Sequence, residues 1–151
     1  MVKPVSMLQR LRTARGAALL ETALTLPLIL LVSVSIFEFG RAYQTWQILT
    51  NAAREGARVA VLPNTAVSDV QSRVQNFMQG GQLPNWASAT VVVTPTTVSI
   101  GATTAAASKV TVNYPFQFIV LNPVARLVVS SSTTGAAPFT MVASAEMRNE
   151  E

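Results

Sequence analysis

Residues 16–62 read GAALLETALTLPLILLVSVSIFEFGRAYQTWQILTNAAREGARVAVL, and how this stretch divides decides the fold. Its first part, residues 17–37, is 21 residues long and carries a single charge, Glu21. As a helix rising 1.5 Å per residue it would be roughly 31 Å long, about the thickness of a bilayer hydrocarbon core. Phe37, Phe39, Tyr43 and Trp46 then fall where such a helix would leave the lipid, the position at which aromatic side chains are enriched. In the second part, Phe39, Ala42, Trp46, Leu49, Ala53, Gly56 and Ala60 recur at alternating spacings of three and four. That period predicts that the helix continues with one buried face. A single helix over 17–62 would be roughly 69 Å long, and Pro63-Asn64 should end it, because proline cannot continue the hydrogen-bond ladder.

The two parts call for different neighbours. Ala52, Ala53, Gly56, Ala57 and Ala60 let another backbone approach closely, either the chain's own sheet or a helix of a second subunit. For residues 49–60 the chain's own sheet is the favoured neighbour. For residues 17–37, which have no domain of their own to pack on, an intersubunit seam is favoured. Pro27 removes the hydrogen bond to Ala23 and should kink or locally melt the helix there.

The charges place this helix in a membrane. The chain has 151 residues, 11 basic and 7 acidic, for a formal net charge of +4. Half of it is hydrophobic and 12% is charged, with a mean hydropathy of +0.38. That is too apolar for a disordered chain and too poor in charge for an ordinary soluble surface. The surplus is local: Lys3, Arg10, Arg12 and Arg15 precede Gly16 with no acid among them, and the rest of the chain is balanced. A basic leader before an apolar span is a topology signal that holds the N-terminus in the cytoplasm, with the residues beyond about 40 outside. A nucleic-acid surface would instead need basic residues spread over a folded face, so nucleic acid is not an expected partner. A cleaved secretory signal would need a small-x-small site after the apolar run, and IFEFGRAY offers none. With no Cys and no His, thiol nucleophiles, Ser-His-Asp triads and the common zinc sites are excluded. No enzyme activity, cofactor or metal is expected.

Gly16 closes the leader, and Glu21 stands five residues after it, inside the apolar run. A carboxylate carried to the bilayer centre costs roughly 2.5–3.5 kcal/mol, so it asks for a partner. Cleavage after Gly16 would create an α-amino group on Ala17 at the positive end of the helix dipole, favouring an ionised Glu21 or one paired with a neighbouring subunit. Glycine at the cut would let extended backbone approach a peptidase closely.

These residues resemble the prepilins of the type IV pilus superfamily, and within it the TadE-like proteins of the tight-adherence (Flp) pilus system. The resemblance rests on Gly16, Glu21, Leu26-Pro27-Leu28, the exit Phe37-Glu38-Phe39-Gly40-Arg41 and the element Asn51-Ala52-Ala53-Arg54-Glu55-Gly56-Ala57-Arg58. It covers about residues 16–60. It implies removal of the leader by a prepilin peptidase between Gly16 and Ala17, and subunit assembly through Glu21 and Pro27. It marks Glu38, Gly40, Arg41, Ala53, Arg54, Glu55, Gly56, Ala57 and Arg58 as family-motif positions. The implied partners are other pilins and minor pilins of the same system, the prepilin peptidase, the inner-membrane assembly platform and membrane lipid. The implied role is that of a minor pilin or pseudopilin in the bacterial cytoplasmic membrane, or in an extracellular pilus. A signal-anchored envelope protein with an uncleaved leader and an outer binding domain is the alternative.

Residues 63–151 complete the expected α+β architecture, a long N-terminal helix packed on a small antiparallel sheet, as in pilins. The boundaries are a leader 1–16, a span 17–37, a helical continuation 38–62 and an outer domain 63–151. Val67, Val70, Val74 and Phe77 or Met78 predict a second helix over 65–79, ended by Gly80-Gly81. Its early Asp69 suits the helix dipole and has no second acid near it in sequence to suggest catalysis. The runs 90–94, 97–100, 109–114 and 140–145 are β-branched and partly alternating, so they read as strands. Residues 116–121 are either an edge strand or a membrane-proximal loop, and 130–138 read as a turn or mobile loop. No charge occurs between Val74 and Ser108, and such uncharged faces associate unless covered.

Overall fold

The computed structural model describes residues 7–120, 122–123 and 139–149, with side chains from residue 16 onward. The basic residue Lys3, the side chains of Arg10, Arg12 and Arg15, and the loop expected at 130–138 lie outside this description. The architecture is α+β: helix α1 (Met7–Ala60), helix α2 (Val67–Gly80), a short 3₁₀ turn (Trp86–Ser88), and strands β1 (Thr90–Ile100), β2 (Thr103–Phe116) and β3 (Phe139–Arg148). The chain divides into two units, Met1–Glu38 and Phe39–Glu151.

In the first unit, α1 begins at Met7, ten residues before the expected start. Leu, Arg, Gln and Ala favour helix, and one glycine costs only about 1 kcal/mol against alanine, too little to stop it. The same helix runs through Pro27 without melting, so of the two expected effects local melting does not occur. Membrane helices tolerate proline when neighbouring groups satisfy the freed backbone, which is less costly than opening a turn to lipid. Leu19, Leu24, Leu28, Val32 and Ile36 are all more than half exposed. The hydroxyl side chains of residues 17–37 are turned inward: Thr22 donates to Ala18 O (2.8 Å), Thr25 to Glu21 O (2.9 Å), Ser33 to Ile29 O (2.8 Å) and Ser35 to Leu31 O (2.7 Å). Each polar side chain except Glu21 is thereby satisfied within its own helix, as a lipid environment requires. The stretch lies in a helix long and apolar enough to cross a membrane, with a mean hydropathy of 2.1 in its most apolar window and none of that window buried.

The second unit is built on a three-stranded antiparallel meander, in the order β1-β2-β3. Alternation along β2 sends Val110, Val112, Tyr114 and Phe116 into the core. The register places Val91 and Ala143 on either side of Val112, so the three strands bury one common face. The runs expected at 90–94 and 97–100 are one strand. Pro95 does not divide them because β1 is an edge strand, where the missing N–H can be tolerated. Gly101, at φ +62°, makes the tight turn into β2. Residues 117–120 follow β2 as a loop, so the loop reading of 116–121 holds for them; Phe116 itself is the last residue of β2, and Leu121 lies outside the described residues.

Onto this face pack α2, through Val70, Val74 and Met78, and the last turns of α1, through Leu49, Ala52, Ala53 and Ala57. α1 ends at Ala60, two residues before the expected end, and Asn64 takes the left-handed φ of +61° beyond it. α2 starts with the Ala66 N–H donating to the Asp69 carboxylate (3.4 Å), so Asp69 serves the helix terminus. At its other end Gly81 is needed for space, because an added Cβ would lie 2.8 Å from Ile48 Cγ2. The left-handed residue there is Gln82, at φ +56°.

Candidate assembly segment

The candidate residues lie along α1, and the structure sorts them into three groups. In the first, Gly16, Ala17, Glu21 and Pro27 are all exposed. Gly16 sits within continuous helix and not in the extended form that a peptidase would grip, so access there requires local unwinding. Among the described residues no side chain crowds it; an added Cβ would meet nothing within 4 Å. Glu21 and Pro27 are six residues apart, about 240° around the helix, so they face different neighbours. Among the described residues, no cluster of acids able to hold a metal occurs.

The second group surrounds the aromatic exit. Glu38 is buried, at 4% exposed, while Phe37, Phe39 and Tyr43 beside it are open. Gly40 is exposed with free space about its Cα, so nothing among the described residues requires a glycine there. Arg41 is held on the outer domain: its guanidinium donates to Gln117 O (2.5 Å) and lies over the Phe116 ring, 4.6 Å from the centroid. Phe118 continues this cluster, packed edge-on against Phe116 (5.2 Å) and Phe39 (6.0 Å). Tyr114 donates from its phenol to Pro84 O nearby. Burial pushes that phenol's pKa up, with the Arg41 charge opposing.

The third group is the element 53–58, and it is occupied by the chain itself. Ala53 and Ala57 are fully buried. A Cβ at Gly56 would lie 2.5 Å from Val74 Cγ2 and 3.2 Å from Val110 Cγ1, so glycine is what lets α1 meet α2 and β2 here. Glu55 accepts from Arg58 one turn on (2.9 and 3.1 Å) and from Arg73 of α2 (2.6 and 3.0 Å). The hydrogen bonds from these two guanidiniums hold its carboxyl at a pKa of about 2, well below the usual 4.5. Arg54 points outward and is exposed.

The favoured neighbour of residues 49–60 is therefore the one observed, but the buried stripe is set differently at its start. Thr45 is 5% exposed, whereas Phe39 and Trp46 are 61% and 46% exposed. Ranking by hydrophobicity picks out the aromatics; the face that meets the domain carries Thr45 instead. Arg73 and Val74, which complete the 53–58 element, were not singled out for that role. Their signal was present only as a cation and a valine on the predicted second helix. No curated protein and no solved structure matches the chain. The model of the TadE-like protein family matches residues 16–58, and over that segment the chain is similar to TadE-like proteins.

Proposed function

We propose that this chain is a minor pilin or pseudopilin-like component needed to assemble a tight-adherence pilus. The observation that carries the reading is the TadE-like match over residues 16–58, which takes in Gly16, Glu21 and Pro27. The chain inserts with its N-terminus in the cytoplasm, a prepilin peptidase removes the leader after Gly16, and the freed helix packs against helices of other pilus subunits. The exposure of residues 17–37 supports this, because an apolar helix that meets nothing in its own chain needs lipid or other helices around it. Glu21 supplies the polar contact that selects a neighbour within the membrane: its exposed carboxylate favours a partner's amino group or other cation over lipid. The 53–58 element has a different task, holding the outer domain on the stem.

Deletion of the chain in its host, followed by complementation, tests this directly. Pili counted by electron microscopy should be lost on deletion and restored by the full chain. Undiminished piliation in the deletion strain would refute the role.

A further inference from the structure

The second unit carries a patch that its own fold leaves uncovered. Phe39, Tyr43 and Trp46 on α1 and Phe139 and Val142 on β3 are 46–63% exposed. They line, with the residues between them, a groove of about 590 Å³ that contains no charged side chain. The Phe118 ring packs against Phe39, and the next residue, Ile119, is 67% exposed and borders a neighbouring groove beside Arg41 and Phe116. Three separate chain segments thus converge on the residues that directly follow the apolar stretch 17–37. Arg41, on the same helix, is turned to Phe116 and Gln117 O. The charged residues of the 53–58 element follow Trp46 by about two helical turns or more along α1.

We infer that this patch is a lipid-binding foot, by which the outer domain rests on the interfacial layer of the bilayer. Three features favour lipid as the occupant. The patch is continuous in sequence with the membrane-spanning stretch, since Phe39 follows it by two residues. Tyr and Trp each join an apolar body to a polar tip, which suits the headgroup boundary. The absence of charge within the groove fits the glycerol and upper acyl region and requires no anionic headgroup. Burying these side chains would fix the domain's height on the membrane and so the orientation in which it meets neighbouring subunits. The inference rests on the reading that residues 17–37 span the bilayer.

The test uses the full chain in phosphatidylcholine vesicles, with W46F and W86F removing the native indoles. Single tryptophans are then introduced by F139W on β3, I119W on the loop and V32W in the span. Nitroxide-labelled lipids act as quenchers, with the label on the upper acyl chain or near its end. The F139W and I119W indoles should lose most of their emission to the upper-chain label and be shielded from aqueous acrylamide, while V32W responds to the deep label. If V32W responds but F139W and I119W are quenched only by acrylamide, the foot does not exist. If those two are shielded without lipid quenching, and only at high protein-to-lipid ratio, a second copy covers the patch and the inference is overturned. A V32W indole untouched by either label would remove the span and the foot together. Because Ile119 is a loop residue and already exposed, I119W gives a reading even where F139W disturbs β3.

Discussion

Two stretches of one helix, residues 17–37 and residues 49–57, both lie within the segment that matches the TadE-like family model, yet they are used in opposite ways. The first carries large side chains, Leu, Ile and Val, and exposes nearly all of them. The second buries Leu49, Ala52, Ala53, Gly56 and Ala57 against α2 and the sheet, four of the five being Ala or Gly. Size is the difference that matters. Small residues let a helix sit directly on its own domain, whereas bulky aliphatics with internally bonded hydroxyls make a surface suited to lipid and to other helices. A family motif on a stem is thus not automatically an intersubunit site. Residues 53–58 serve the chain's own fold, and in the proposed function intersubunit selectivity falls to Glu21.

Substitutions can break this division. The largest effect is expected for Glu21→Ala, which should lower piliation by about tenfold or more, equivalent to about 1.4 kcal/mol in an assembly equilibrium. The amount of protein in the membrane fraction should not change. Equal loss of both would move Glu21 from assembly to insertion. Gly56→Val comes next. It forces side-chain atoms into the space held by Val74 and Val110, with an overpacking cost of about 1–3 kcal/mol. For a domain of about this size that should lower the melting temperature in detergent by roughly 4–8 °C per kcal/mol. A melting temperature unchanged by Gly56→Val would mean that α1 does not seat on α2 as described.

Smaller effects are expected at the ion pairs. A double-mutant cycle of Glu55→Ala and Arg73→Ala should give a coupling of about 0.2–1 kcal/mol, because both side chains reach solvent. It should shrink at high salt. The Glu55 carboxyl titrates lower in the folded protein than in the unfolded chain, so its stabilisation is complete above pH 4.5 and is lost as the pH falls toward 2. Acid titration of the melting temperature should therefore show a drop over that window that is reduced in Glu55→Gln. An identical drop in the variant would remove Glu55 as its source.

Much of this was legible in the sequence, because period and punctuation are local. The long apolar helix, its end near Pro63, the α2 face of Val70, Val74 and Met78, and most of the strands follow from them. The contacts that close the fold are not local. Arg41 meets Gln117, 76 residues away, and Glu55 meets Arg73, 18 away. Nothing in the spacing of these residues announces either pair. The phase of the stem between Phe39 and Thr45 was also hidden, since a buried threonine beside exposed aromatics inverts the hydrophobic ranking. At Gly16, where the family resemblance implies cleavage, the observed backbone is helical, because helix-forming neighbours outweigh one glycine.

The assignment of separate tasks to the two stretches depends most on whether the basic leader is removed, which frees the helix N-terminus beside Glu21. Mass spectrometry of the full protein, extracted from membranes of a host that carries the matching prepilin peptidase, measures this directly. The expected product begins at Ala17 and lacks Lys3, Arg10, Arg12 and Arg15. An intact N-terminus in that host would contradict the account and leave a signal-anchored envelope protein in its place.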